Sequence, residues 1–279
     1  MKYVGSKNRL SKDLAPIIQS YIDNNNITHY WEPFCGGANM IDKIKCAHRF
    51  GSDIHPYLIA LLQQAQADTT IFPSTITEQE YQSVKQNSQN YPDWYVGLVG
   101  FCASYNAKWF GGYANNVKTK QGTIRNYTDE AIRNIVKQAP NLKGIQFNCC
   151  SFDECNDIKG FIIYCDIPYR NSTKYATEDF PYEKFYDWCR KMNKDNIVLV
   201  SEYWMPNDFE CIWSKSLKCT LDKNSRTDKT ERLFMVKKKM RVKELIEELK
   251  KYDGDKIVLI DWQLRQPIIE DDEDFIILS

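Results

Sequence analysis

The sequence predicts an α/β protein built on an open sheet covered on both faces, and three observations carry that expectation. Phe161 to Cys165 is an unbroken apolar run that stops at Asp166, the pattern of a central strand rather than of a half-exposed hairpin strand. Residues 28 to 53 read as strand, glycine turn, helix and strand, the entry unit of a nucleotide-binding α/β domain. Between about residues 68 and 145 that alternation stops, which marks an inserted, mostly helical subdomain, and it resumes afterwards.

The elements follow in order. Leu14, Ile17, Ile18, Tyr21 and Ile22 recur at helical spacing behind a polar cap at Ser11, so a helix is expected from Ser11 to Asp23, ended by Asn24-Asn25-Asn26. A strand from Thr28 to Phe34 runs into Cys35-Gly36-Gly37, then a helix from Ala38 to His48 and a strand from Arg49 to Asp53. Beyond Asp166 come a helix near Tyr182 to Asn193, with Phe185, Trp188, Cys189 and Met192 on one face, and a strand from Ile197 to Val200. Val200-Ser201-Glu202-Tyr203 leaves that strand in polar residues and would wall the neighbouring crevice. A late strand is expected from Arg232 to Val236. An amphipathic helix from Val242 to Tyr252, a turn at Asp253-Gly254-Asp255 and strands at Lys256 to Asp261 and Phe275 to Leu278 form a separable α+β appendage. The expected divisions are thus 1–67 with 146–239, the insertion 68–145, and the appendage 240–279.

Composition sets the limits. A chain of 279 residues, 43% hydrophobic and 27% charged, is ordinary for a globular protein, so disorder is not the expectation. No run of about 18 apolar residues occurs and the amino terminus has no signal-peptide pattern, so a soluble, cytoplasmic protein without a membrane partner is expected. The ten cysteines and three histidines fall in no metal-ligand spacing, and no metal is expected. Thirty-seven basic residues balance thirty-seven acidic ones, yet the signs are segregated. Basic residues dominate from Lys108 to Lys143 and again from Lys215 to Lys243, whereas Glu270 to Asp274 is wholly acidic. That distribution permits nucleic-acid binding in a neutral molecule, although a single basic run also reads as solvated surface.

The chemistry concentrates at two strand ends. Asp166-Ile167-Pro168-Tyr169 places a carboxylate where ligands bind in open α/β sheets, followed by a carbonyl whose direction Pro168 helps to fix and by an aromatic ring. Two acceptors and a ring suit a planar group bearing an amine; the same four residues also read as a plain strand-ending turn. Gly36 and Gly37 let a ligand approach bare backbone, and Asp53, about 20 residues on, can accept both hydroxyls of a ribose. The turn is too short for the dinucleotide fingerprint, so a nucleoside is the better expectation. In the insertion, Tyr105, Trp109 and Tyr113 stand beside Lys108, Lys118, Lys120 and Arg125, a mixture that suits base stacking and phosphate pairing as well as a small aromatic core.

In this order the pieces resemble the Dam-type DNA adenine-N6 methyltransferases, from Tyr3 to about Val236. Tyr3-Val4-Gly5-Ser6-Lys7 is similar to the family's amino-terminal segment, Glu32-Pro33-Phe34-Cys35-Gly36-Gly37 to its cofactor loop, Ser52-Asp53-Ile54 to its ribose-binding position, and Asp166-Ile167-Pro168-Tyr169 to its catalytic D-P-P-Y. Ile167 stands where the family usually has proline, and Ala38-Asn39 where it has a further glycine-like position. The resemblance implies a Rossmann-like S-adenosylmethionine-dependent methyltransferase sheet with a target-recognition insertion. It also implies S-adenosylmethionine as cofactor, held by Tyr3, Lys7, Glu32, Phe34, Cys35, Gly36, Gly37, Asp53, Ile54, Ser151, Phe152 and Asp166. Double-stranded DNA would be the partner, held by Tyr105, Lys108, Trp109, Tyr113, Lys118, Lys120 and Arg125. Asp166, Ile167, Pro168 and Tyr169 would act on a flipped-out adenine, in a monomer or a weak homodimer. Cytosine-N4 methylation and a catalytically silent nucleic-acid-binding homologue stay open as alternatives.

Overall fold

The computed structural model describes residues 1–114, 116–118, 122–170, 180–217 and 229–237, and beyond them 246–247, 249–250, 257–260, 269–271 and 275–278. Seven strands form the main sheet: β1 (His29–Glu32), β2 (His48–Asp53), β5 (Ile145–Cys149), β6 (Phe161–Asp166), β7 (Ile197–Glu202), β8 (Phe209–Leu217) and β9 (Lys229–Val236). Their order is β5-β2-β1-β6-β7-β9-β8; the first five are parallel, and β9 runs antiparallel to both β7 and β8. The order reverses between β1 and β6, so their carboxyl ends flank the crevice where such sheets bind ligands. Glu32 and Asp166 end those two strands.

The central strands are apolar at successive positions because both faces are covered. Tyr30, Ile162, Tyr164 and Leu199 join one core, with Leu14 and Ile18 of α1 (Ser11–Asn24) and Leu58, Leu61 and Leu62 of α2 (Pro56–Ala67). Trp31, Ile163, Cys165, Val198 and Val200 join the other, with Phe185, Trp188, Cys189 and Met192 of α6 (Tyr182–Met192). The faces alternate residue by residue, as a pleated strand requires. At about 1.5–3 kcal/mol for each fully buried large apolar side chain, this two-sided packing is what holds the strand ends in register.

The helix expected from Ala38 to His48 is absent; a single 3-10 turn at Ile41–Lys43 stands in its place. Ala38 lies at φ 55°. Gln138 Nε2 donates to the carbonyls of Gly37 (3.1 Å) and Ala38 (2.9 Å), and Lys43 Nζ to that of Asn39 (2.6 Å). The left-handed Ala38 is incompatible with a helical turn, and the side-chain donors hold these carbonyls in the turn conformation instead. Five strands went unforeseen: β5, β8, the two short strands Val117–Lys118 and Ile124–Arg125, and β11 (Ile269–Asp271), which with β10 (Ile257–Ile260) and β12 (Phe275–Leu278) forms a separate three-stranded sheet. Most of the helix expected from Val242 to Tyr252 lies outside the described residues.

Residues 68–145 are largely helical, with α3 (Glu78–Gln86), α4 (Asp93–Gly97), a π-helical turn (Leu98–Cys102), α5 (Tyr127–Leu142) and a two-stranded hairpin, β3 (Val117–Lys118) with β4 (Ile124–Arg125). They do not form a core of their own. Tyr81, Val96, Leu98, Ile132 and Ile135 share the core of α1 and α2. A side chain at Gly97 would come within 2.1 Å of the Tyr57 carbonyl, so α4 lies directly on α2. Arg49 Nη2 donates to the Lys143 carbonyl (2.8 Å) and Gln66 Nε2 to that of Ile145 (2.7 Å), tying the end of α5 to the sheet layer. What stands out from this core is the Tyr105 turn and the hairpin, where Tyr105, Val117 and Ile124 are exposed. Among the described residues no helix is long and apolar enough to cross a membrane.

Candidate active site

Two groups of residues meet at the carboxyl ends of β1, β2 and β6. The first is backbone-built. Gly36 turns the chain with φ +47°, and a Cβ there would lie 2.8 Å from the Tyr3 ring; a Cβ at Gly37 would lie 2.7 Å from Asn39 Nδ2 and 2.8 Å from Tyr3 Cβ. Tyr3 thus seals the glycine turn from one side. Cys35 N donates to the Ser52 carbonyl (2.8 Å), which aligns the turn with the end of β2. There Asp53 accepts the amides of Gly36 on Oδ2 (3.2 Å) and His55 on Oδ1 (3.0 Å). Burial raises the Asp53 pKa, and those amides oppose the shift.

The second group is held by side chains. Lys7, buried, donates to Asp166 Oδ1 at 2.7 Å, lies 4.0 Å from Glu231 Oε2 and stands 4.3 Å from the centroid of the Tyr169 ring. The Tyr169 hydroxyl donates to Glu231 Oε2 (2.7 Å), and that of Tyr203 to Glu231 Oε1 (3.4 Å). The two rings meet edge to face at 4.5 Å. Burial raises the Asp166 pKa; Lys7 lowers it and Glu231 raises it further. The turn itself is fixed from α6, where the Tyr182 hydroxyl donates to the Pro168 carbonyl (2.8 Å). Ile167 packs into the second core at 2% exposure, so burial restrains its peptide where proline would do so by its ring. Glu202 closes the wall by accepting the amides of Tyr203 (2.6 Å) and Arg170 (3.2 Å); burial pushes its pKa up to about 7.

The other expected site residues divide. Ile54 follows Asp53 and is 74% exposed, an apolar surface at the mouth of the crevice. Glu32 lies inside instead, accepting the Tyr30 hydroxyl at 2.6 Å, and braces the loop from beneath; burial raises its pKa and the Tyr30 hydrogen bond opposes the shift. Phe34 and Phe152 pack on each other at 5.5 Å within an aromatic cluster that includes Phe185. Ser151 caps the short turn Phe152–Glu154 in a reciprocal box with Glu154.

Of the residues expected on DNA, Tyr105 and Lys118 are exposed and Lys108 lies at the surface between them in sequence. Trp109 is packed on Tyr57, with ring planes 13° apart, and on His55 and Phe101; Tyr113 donates to the Ile76 carbonyl (2.6 Å) and packs on Tyr81. Both rings serve the local core. Arg125 forms a two-pronged pair with Glu130 (2.6 and 2.7 Å), so much of its charge is already matched. Lys120 lies outside the described residues. A partly open cavity of about 120 Å³ sits away from the strand ends, between the Tyr105–Ala107 turn and α5. Sequence reasoning missed Glu231, because the expected strand began at Arg232, three residues after the observed start at Lys229; an acid two residues before the apolar run Leu233–Val236 was the available signal.

No curated protein matches the sequence. Among solved structures, "putative methylase HI0767" from Haemophilus influenzae is 8% identical over 82% of this chain and 89% of its own, with a TM-score of 0.32. The family model of the D12 class N6 adenine-specific DNA methyltransferases matches residues 3–213, a span that takes in the glycine turn with Tyr3, Asp53, and Lys7, Asp166, Tyr169 and Tyr203 of the second group, and that ends before Glu231. The chain therefore belongs to the D12 class of N6 adenine-specific DNA methyltransferases.

Proposed function

We propose that the protein transfers a methyl group from S-adenosylmethionine to the N6 amine of an adenine flipped out of double-stranded DNA, with Asp166 and the Ile167 carbonyl as acceptors for the two amine hydrogens. The observation that carries this reading is the convergence of Lys7, Asp166, Tyr169 and Glu231 beside the glycine turn, at the reversal of strand order. A side-chain-free turn beside Tyr3, an aspartate at the end of β2 and the exposed Ile54 are a donor set that fits a nucleoside, and they support holding the methyl donor there. When bound, that donor supplies a sulfonium-activated methyl group.

The amine nitrogen of adenine is a weak nucleophile because its lone pair is delocalised into the ring. Acceptors on both hydrogens favour the pyramidal form that frees the pair, and a carboxylate stabilises the positive charge that builds on nitrogen. In the transfer the amine nitrogen would gain the methyl group, the carbon–sulfur electron pair would stay with the departing thioether, and one amine proton would leave to solvent past the Asp166 carboxylate. Tyr169 would stack on the extruded base, recovering about 1–3 kcal/mol of the flipping cost. Residues 68–145 would read the target through the hairpin and the Tyr105 turn, with Lys108 and Lys118 on phosphates.

The test is methyl transfer from labelled S-adenosylmethionine to diverse duplex DNA, followed by nucleoside identification. Labelled N6-methyladenine is the expected product. Labelled N4-methylcytosine, or cofactor binding without transfer to any DNA, would overturn the reading.

A further inference from the structure

Lys7 raises a difficulty that the strand-end site must resolve. Its ammonium is 2.7 Å from the carboxylate that is to stabilise a developing cation, and it stands 4.3 Å from the centroid of the ring that is to stack on the base. An ammonium paired with Asp166 cancels the charge that the reaction uses, and does so in a buried place where charges are poorly screened. Glu231 lies on the other side of the same ammonium, at 4.0 Å.

We propose, resting on the reading of Asp166 as the amine acceptor, that Glu231 is a positioning residue that balances Lys7 and fixes the Tyr169 ring, leaving the charge of Asp166 for the substrate amine. Lys7, Asp166 and Glu231 together are one cation and two anions, a net charge of minus one facing an amine that becomes positive during transfer; Glu202, whose pKa burial raises to about 7, adds only part of a further negative charge near neutral pH. Without Glu231, Lys7 and Asp166 cancel each other. Glu202, the nearby alternative, is committed to the amides of Tyr203 and Arg170. Glu231 meanwhile accepts the hydroxyls of Tyr169 and Tyr203, so the same carboxylate sets the direction of the stacking ring. It reaches the site because β9 lies antiparallel beside β7, whose last residues carry Ser201 and Glu202 into the crevice.

The test is single-turnover methyl transfer at saturating S-adenosylmethionine and duplex DNA, run as a double-mutant cycle on Glu231→Gln and Lys7→Met. Glu231→Gln has the same shape, so its thermal melt should stay cooperative. It is expected to slow transfer about tenfold, while donor affinity stays within about threefold. In the Lys7→Met background, which should retain measurable transfer, the same change should cost nothing further, because no cation is left to balance. Glu231→Asp, which keeps the charge, should transfer faster than Glu231→Gln. A wild-type rate in Glu231→Gln, an equal slowing in both backgrounds, a dead Lys7→Met enzyme, or the reverse order of the Asp and Gln variants would each overturn the proposal. Asp166→Ala, run alongside, separates the two levels: undiminished transfer there would instead remove the acceptor reading on which the proposal rests.

Discussion

The two halves of the strand-end site are built in opposite ways. On the β1–β2 side the surface is backbone: a left-handed Gly36, a Gly37 with no room for a side chain, and an aspartate held by two amides within one short stretch, residues 34 to 55. On the β6 side it is a ring of charged and aromatic side chains from residues 7, 166, 169, 203 and 231, brought together only by the sheet. The first design forms a fixed cradle whose shape tolerates little change. The second holds charges in balance, so it should answer to charge changes more than to shape.

Gly37→Ala is expected to produce the largest effect on the cradle. Its Cβ would press on Tyr3 and on Asn39, which is itself pinned by a bond from Asn39 Nδ2 to the Met1 carbonyl (3.0 Å). A stability loss of about 1–3 kcal/mol is expected, as for overpacking, read from chemical denaturation. Methyl-donor affinity in a titration should fall with it; an unperturbed variant would show that the cradle is looser than its geometry. Next, Asp53→Ala should weaken donor binding by about tenfold, the worth of one charged hydrogen-bond pair, while leaving the transfer rate at saturating donor nearly unchanged. An equal loss in rate and affinity would erase the division between a binding half and a reacting half.

On the charged side, Glu202 gives a pH signature. Its pKa is raised from an ordinary 4.5 to about 7 in the folded protein, so between those values the folded state holds a proton that the unfolded state has released. Stability therefore falls as pH rises through that window and is lowest above about pH 7. Glu202→Gln removes this dependence, so its melting temperature relative to wild type should become more favourable from pH 5 to pH 8. A difference that does not change with pH would contradict the burial argument. The smallest effect belongs to the periphery: Lys118→Ala should lower the slope of log affinity against log salt by about one, with little change in sequence preference. Arg125→Ala, whose charge is matched by Glu130, should change the slope less.

The contrast also explains what the sequence made legible. The run Phe161–Asp166, the glycine turn, Asp53 and the amino-terminal Tyr3 and Lys7 carry local signals, and the structure brings them together at the strand ends. The helix expected after Gly37 failed because Ala38 is left-handed and its carbonyl and that of Gly37 are held by Gln138, a hundred residues away, which no local pattern announces. Trp109 and Tyr113 suited a nucleic-acid face by composition, yet Tyr57, Phe101 and Tyr81 are their neighbours. Glu231 went unseen for the same reason: its partners Tyr169, Tyr203 and Lys7 lie far away in sequence and meet it through the antiparallel β9.

The central claim is that the Asp166 carboxylate accepts the amine while the glycine side holds the donor. Single-turnover transfer and donor titration on Asp166→Ala, measured together on protein with a wild-type melt, test it most directly. A rate reduced by about a thousandfold or more, in the range seen when an essential charged group is removed from a site, with donor affinity within about threefold of wild type, is the predicted result. Comparable turnover by Asp166→Ala would contradict it.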